Sequence, residues 1–291
     1  MEFFSGGVIK FFRLIRFIPL DSIARRGVNR VRLKFLQHIV IRVVNRISLL
    51  NDMDRWLNIG INGGACWPKE ETVVKFGGHE LVLKPATKDT EQSVHINLHG
   101  KISDVDAMTL IHRFLSILSW CDDQGMEFMD GGGVGSPIPI AVSKRIRIVG
   151  SSIAFPFYRD MDENPKVKLA LALYREGLTV KSIPFSFLSY YKIIEIFYKK
   201  SQIKNINEIL SKIKDDLALE RLKKLEKMEK DIPTHLYESC RCAIAHAYTK
   251  RIVDPDDVAD LRDLSQDIWI VKAIAAYLIE YKLGISRSIC G

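Results

Sequence analysis

The sequence predicts an α+β protein, with a mixed α/β amino-terminal half that holds a small antiparallel sheet and an all-α carboxyl-terminal half. Residues 72–83 form two short strand-like runs around Gly77-Gly78, a pair typical of a tight hairpin turn. From Asn164 onward, apolar residues recur at helical spacing. We therefore divide the chain into a basic helical segment 1–55, a mixed α/β domain 56–160 and an all-α domain 161–291.

The composition is that of a folded protein. Of 291 residues, 47% are apolar and 27% are charged, which is unlike a disordered or membrane-embedded chain. The five scattered cysteines suit reduced thiols better than a disulfide framework. Lys and Arg side chains interrupt the apolar start that a signal peptide needs, and no apolar run reaches the roughly 20 residues that span a bilayer. We therefore expect a cytoplasmic protein.

The positive charge is concentrated at the amino terminus. Residues 1–50 carry ten Lys and Arg against two carboxylates, which accounts for the whole formal net charge of +8. Such a segment can attract phosphates, and a helix over 8–19 with apolar residues opposite its cations can lie on a membrane surface. Nucleic acid, membrane surface and structural use stay open as alternatives. The candidate nucleic-acid-binding residues are Arg25, Arg26, Arg30, Arg32 and Lys34.

The mixed half is predicted to combine short strands with one helix. Residues 94–98 alternate apolar and polar side chains, as in a half-buried strand. Ser103, followed by an acidic residue three positions on, predicts the start of a helix that continues to Trp120. Residues 130–160 contain a glycine run without the Gly-Lys-Ser/Thr ending of a phosphate-binding loop, so we expect a flexible connection with one or two short strands.

The carboxyl-terminal half is predicted to be a series of helices. Asn164 and Pro165 form a typical start for the first of them. Asp254-Pro255 is expected to break the chain before the last two. The predicted helices run from Asn164 to about Leu178, from Phe187 to Tyr198, over 205–230, from Asp231 to about Lys250, and near 255–263 and 266–283.

Neither the histidines nor the cysteines form a convincing metal site. His95 and His99 lie about 13 Å apart if they share a strand, too far for one ion, so we expect them on a solvent face. Cys240 and Cys242 point about 200° apart on an α-helix, which argues against a shared zinc ion. We therefore predict no metal and no cofactor.

The segment from Glu238 to Tyr248 carries the candidate chemistry. On an α-helix, its small apolar residues form a core face, whereas Arg241 and His246 lie on the opposite, exposed side. An imidazole moves protons near neutral pH, and a guanidinium binds phosphate oxygens. The pair is therefore suited to phosphodiester chemistry, although an ordinary amphipathic helix with one exposed Arg and one exposed His has the same pattern.

The spacing of this pair resembles a known family. Arg241, four intervening residues and His246, late in a helical domain, resemble the signature of the HEPN superfamily of helical ribonucleases, and Tyr248 extends it to Arg-x4-His-x-Tyr. The run from Leu169 to Lys192 is loosely similar to methylamine-utilisation J-type proteins. Together these likenesses cover residues 160–291.

The resemblance implies an HEPN-like bundle that forms a homodimer through the 233–250 helix and cuts RNA without a metal. Arg241 and His246 are then the catalytic residues. Tyr248 is an auxiliary residue that is adenylylated in the toxin family, and Cys242 stands where the family commonly has Asn, Asp or His.

The biological role implied by the resemblance is that of a toxin or phage-defence effector with a regulatory protein partner. The alternative is a non-catalytic HEPN-like module that binds nucleic acid or protein. A further alternative is a protein that associates with a membrane surface through its basic amino terminus, residues 8–19.

Overall fold

The structure is a computed structural model that describes residues 55–99, 102–142, 148–150, 157, 159–248 and 251–288. The described residues belong to one compact unit. The predicted helix over 8–19 lies outside the described residues. So do the five candidate nucleic-acid-binding residues Arg25, Arg26, Arg30, Arg32 and Lys34.

An antiparallel sheet occupies the first part of the described chain. Its strands are β1 (Trp56–Gly63), β2 (Thr72–Phe76), β3 (His79–Lys84), β4 (Ser93–Asn97) and β5 (Met126–Val134). They are arranged in the order β2-β3-β4-β1-β5. The predicted β2–β3 hairpin is confirmed: Gly77 and Gly78 have φ angles of 55° and 76°, a left-handed conformation that glycine adopts without steric cost.

The glycine run after residue 130 is part of the sheet, so its prediction as a flexible connection is wrong. Gly131 in β5 pairs with Ile59 in β1. A Cβ atom at Gly131 would lie 2.4 Å from the Asn58 carbonyl oxygen, closer than real Cβ atoms approach. Glycine is needed here because two backbones pass close together, and not because the chain bends.

His95 is buried, so its predicted place on a solvent face is also wrong. The strand β4 lies between β3 and β1, and its inner residues are buried on both faces. The two ring nitrogens of His95 are hydrogen-bonded to Ser93 Oγ at 2.9 Å and to Asn58 Oδ1 at 2.6 Å. The polar side chain is tolerated in the interior because both of its nitrogens have partners.

The longer helices are α1 (Asp104–Asp122), α2 (Pro165–Thr179), α3 (Ile183–Phe197), α4 (Asp216–Lys227) and α5 (Val258–Tyr277). Two predicted starts are confirmed by their caps, because Ser103 accepts a hydrogen bond from the Asp106 amide and Asn164 accepts one from the Lys166 amide. No helix of the described residues is long and apolar enough to cross a membrane.

Three of the predicted helices differ from those observed. The expected helix over 205–230 is divided into a 3-10 turn and a short helix, Lys200–Ile206 and Asn207–Leu210, and then α4, because Asp215 caps a new start. The two helices expected after residue 255 are a single helix, α5, which continues as a π-helical turn over Leu278–Lys282. Asp257 caps α5 through two backbone amides.

The helix α1 joins the sheet to the helical part. The Phe114 ring packs edge-on against Phe76, with centroids 5.5 Å apart, and Trp120 packs edge-on against Tyr174 of α2, with centroids 5.1 Å apart. One apolar cluster therefore runs through both halves. The predicted α+β class, with an antiparallel sheet followed by helices, is confirmed.

Candidate functional site

The motif helix, which we define as residues 232–245, is π-helical at its centre. Short α-helical turns, Ile232–Thr234 and Ala243–Ala245, flank a π-helix over His235–Cys242. In an α-helix residues five positions apart point about 140° away from each other, whereas i→i+5 hydrogen bonding brings them to nearly the same side. Side chains at this spacing can therefore pair along the motif helix.

Two pairs of side chains use this spacing. Cys240 Sγ lies 3.7 Å from His235 Nε2 on the buried side. Cys242 lies close to Tyr237 on the other side, and partial burial followed by this neighbouring thiol raises the pKa of Tyr237. The two thiols therefore face different neighbours.

Arg241 and His246 lie side by side. The predicted helix to Lys250 is too long: it ends at Ala245, and His246 is extended, with φ −136° and ψ 118°. Its Nε2 atom nevertheless lies 3.3 Å from Arg241 Nη1. Because a guanidinium only donates hydrogen bonds, Nε2 is the acceptor in this contact.

Glu195 of α3 binds the guanidinium of Arg241 at its Nε edge, away from the Nη1 atom that contacts His246. Arg241 Nε donates to Glu195 Oε1 at 2.9 Å, and the Arg and Glu side chains are 25% and 37% exposed. These two contacts engage two of the five donors of the guanidinium. An acid, a guanidinium and an imidazole thus form a short chain at the surface.

Aromatic rings surround this chain. Tyr248 is 85% exposed, and its ring centroid lies 5.2 Å from that of His246. The Lys200 ammonium lies 5.3 Å from the centroid of the Tyr237 ring, which adds a second cation. The buried Tyr191 hydroxyl has no hydrogen-bond partner among the described residues, and burial followed by the charge of Glu195 raises its pKa. Such a surface offers both cations and planar rings.

The opposite side of the motif helix holds a second polar cluster, which is buried. Asp267 of α5 accepts a hydrogen bond from Arg221 Nε through Oδ1 at 2.7 Å. Its Oδ2 atom lies 3.0 Å from His235 Nε2 and accepts a hydrogen bond from Cys240 Sγ at 3.4 Å. Burial tends to raise the pKa of Asp267, but the hydrogen bonds with His235 and Arg221 outweigh it and hold the pKa below its usual value.

This buried cluster has the donor types of a metal site. One ligand atom each from His235, Cys240 and Asp267 lies within 4.8 Å of the others. However, burial and then the Asp267 charge raise the pKa of the Cys240 thiol, so it stays protonated. The positively charged Arg221 guanidinium also lies 2.7 Å from Asp267, where it would repel a metal cation. We therefore interpret the cluster as a hydrogen-bond network that joins the motif helix to α4 and α5.

The structure brings the four predicted motif residues together around one surface. Arg241, Cys242, His246 and Tyr248 all lie within or just after the motif helix. The sequence analysis missed Glu195, although it is the only acidic residue of α3 and follows an otherwise apolar stripe. It also missed the buried cluster, whose members are distant in sequence.

Comparison with known proteins gives a family match. The family profile of methylamine utilization protein MauJ matches residues 170–280, which is less than half of the chain. This part includes α3, α4, the motif helix and both polar clusters. The predicted loose similarity to MauJ-type proteins is thus supported, whereas the likeness to the HEPN superfamily stays a prediction. No curated protein and no solved structure is significantly similar to the chain.

Proposed function

We propose that the protein is a metal-independent endoribonuclease of HEPN type, with His246 as general acid/base and Arg241 as the group that stabilises phosphate charge. The observation that carries this proposal is the 3.3 Å contact between Arg241 Nη1 and His246 Nε2 at an accessible surface. A proton-transfer group and an anion-binding group beside it are what phosphodiester cleavage requires.

The reaction would proceed by attack of a ribose 2′-hydroxyl on the neighbouring phosphorus. As RNA binds, Arg241 turns from His246 to the phosphate and frees Nε2, which accepts the hydroxyl proton; the 2′-oxygen bonds to phosphorus, and the bond to the 5′-oxygen breaks. Arg241 stabilises the charge that develops on the non-bridging oxygens. A second proton-transfer group protonates the leaving oxygen, and in a homodimer the second copy of the motif supplies it. The products are a 2′,3′-cyclic phosphate and a 5′-hydroxyl.

Glu195 acts as a positioning residue in this proposal. It holds the Nε edge of Arg241, so that the Nη edge faces His246. Tyr248 and the Lys200–Tyr237 pair offer ring faces and a cation to an RNA strand, since bases stack on aromatic side chains. A toxin or phage-defence effector, regulated by a protein partner in the cytoplasm, is the cellular role that fits such an activity.

The second candidate is a non-catalytic module that binds nucleic acid or protein at the same surface, held at a membrane by its basic amino terminus. Two observations favour it. Glu195 already pairs with Arg241, and the residue next to the arginine is Cys242, whose thiol is a weak hydrogen-bonding group.

Replacing His246 by Ala separates the two candidates. We expect RNA cleavage by the wild-type protein in excess EDTA, with cyclic phosphate ends, and a loss of about 100-fold or more in His246→Ala at unchanged RNA affinity and oligomeric state. His79→Ala, on the β2–β3 hairpin, is the matched control and should cleave normally. If purified wild-type protein binds RNA but leaves it intact, also with its protein partner present, the surface is a binding module.

A further inference from the structure

A second candidate site lies in the helical part. A cavity of about 460 Å³ lies between the chain before α4 and the last turns of α5, a volume within the roughly 300–1,000 Å³ usual for small-molecule sites. Within the part of the chain that the structure describes, Arg241 and His246 do not line it. The lining residues that matter for its chemistry are Lys212, Lys214, Lys272, Arg287, Tyr277 and Tyr281.

Four cations and three carboxylates line this cavity, which gives it a formal net charge of +1. Asp123 forms ion pairs with Lys272 at 2.8 Å and with Arg287 at 3.8 Å. Asp215 accepts a hydrogen bond from the Ala218 amide as the cap of α4. The third carboxylate, Glu280, forms no ion pair among the described residues, so an anion is favoured beside Lys212 and Lys214 rather than beside Glu280.

Two lysines that line the cavity, Lys212 and Lys214, can bind an anion. Lys212 and Lys214 are exposed, and no carboxylate of the described residues lies within the 4.0 Å ion-pair distance of either ammonium. The Lys212 ammonium lies instead 5.7 Å from the centroid of the Tyr277 ring. A phosphate group placed between these lysines would gain two charge-assisted contacts.

Beside these cations stands a pair of aromatic rings. Tyr277 and Tyr281 are one helical turn apart, and their ring centroids are 4.7 Å apart with an angle of 32° between the planes. Tyr281 is 61% exposed. An exposed aromatic ring binds a planar heterocycle by stacking.

We propose that this cavity binds a nucleotide, with its base against Tyr281 and Tyr277 and its phosphate between Lys212 and Lys214. A purely apolar ligand does not suit a wall made of ion pairs, and inorganic phosphate alone would leave the rings unused. The site is independent of the proposed ribonuclease activity, because it shares no residue with Arg241, His246 or Glu195.

Calorimetric titration of the full chain with three probes tests the proposal. We expect AMP to bind, and adenosine and ribose 5-phosphate each to bind at least about tenfold more weakly, because each lacks one of the two recognised groups. Absence of AMP binding at about 1 mM would overturn the proposal. Equal binding of ribose 5-phosphate and AMP would overturn it as well, because the rings would then play no part.

Variants locate the binding to this cavity. The double variant Lys212→Ala/Lys214→Ala should weaken AMP binding about tenfold and leave adenosine unaffected, whereas Tyr281→Ala should weaken AMP and leave ribose 5-phosphate unaffected. The matched control is Lys223→Ala/Lys227→Ala, two exposed lysines of α4 outside the cavity. AMP binding that is equal in the two double variants would show that the nucleotide binds elsewhere.

Discussion

A cluster of one acid, one arginine, one histidine and one cysteine lies on each of two sides of the motif helix. One cluster is buried, and the other is partly exposed to solvent. The buried set is Arg221, His235, Cys240 and Asp267. The partly exposed set is Glu195, Arg241, Cys242 and His246. In the buried set the acid bonds to all three other groups, whereas in the exposed set Glu195 bonds to the guanidinium alone among them. The comparison teaches that surroundings, rather than residue types, separate a structural cluster from a candidate reactive one.

The energetic consequence of this difference is large. Removal of one partner from a buried ion pair leaves a charge in the interior without compensation, and this costs about 3–5 kcal/mol. Water replaces a lost partner at the surface, where a pair contributes up to about 1 kcal/mol. The two carboxylates on the two sides of the helix therefore provide a direct test.

The largest expected effect is that of Asp267→Ala, which should lower the free energy of unfolding by about 3–5 kcal/mol because it leaves Arg221 buried without its partner. The matched change Glu195→Ala should lower it by no more than about 1 kcal/mol. Urea unfolding monitored by circular dichroism at pH 7 measures both values. Equal losses in the two variants would contradict the division into a structural and a surface cluster.

A third histidine sharpens the comparison, because it is buried without a carboxylate partner. Burial, and then the positive charge of Lys84, lowers the pKa of His95 from 6.5 to about 4. The unfolded chain therefore binds a proton near pH 6.5 that the folded chain does not bind until about pH 4. Stability present at pH 7 should be lost as the pH falls through this window, by about 3 kcal/mol in total.

Urea midpoints between pH 7 and pH 4 measure this loss. His95→Gln should flatten the dependence of stability on pH, and the hairpin variant His79→Gln should leave it unchanged. A dependence that persists in His95→Gln would assign the proton uptake to another group.

The smallest expected effect concerns chemical reactivity rather than stability, and it contrasts the two thiols on the two sides of the motif helix. Iodoacetamide should alkylate the half-buried Cys242 in the folded protein and spare Cys240, because burial keeps the Cys240 thiol inaccessible and protonated. Both should react in urea. Tandem mass spectrometry of the peptide that contains both residues distinguishes the two positions, and comparable labelling of Cys240 in the folded state would contradict its burial.

Local signals in the sequence predicted much of the fold. The paired glycines of the hairpin and the cap at Asn164 act on neighbouring backbone groups, so their effect can be predicted without the rest of the chain. The strand β5 was missed because its glycines are selected by contact with β1, which is distant in sequence. His95 was misplaced because alternation does not distinguish a polar residue in water from one with buried partners.

The candidate site was predicted only in part, for a related reason. Arg241, His246 and Tyr248 follow from spacing along one segment. The pairing of Arg241 with Glu195 depends on how α3 packs, and the pairs His235–Cys240 and Tyr237–Cys242 depend on a helix type that a 100° projection does not represent.

The π-helical centre of the motif helix makes this segment unusually tolerant of losing one residue. Deleting one residue between His235 and Cys240 would restore ordinary winding and place the two side chains four positions apart, a spacing that an α-helix also brings to nearly the same side. The residues beyond the deletion, Arg241 among them, would then keep nearly the same orientation. In an ordinary α-helix such as α3 there is no wide turn to take up the loss, so the same deletion rotates the following residues by about 100° and should be far more disruptive.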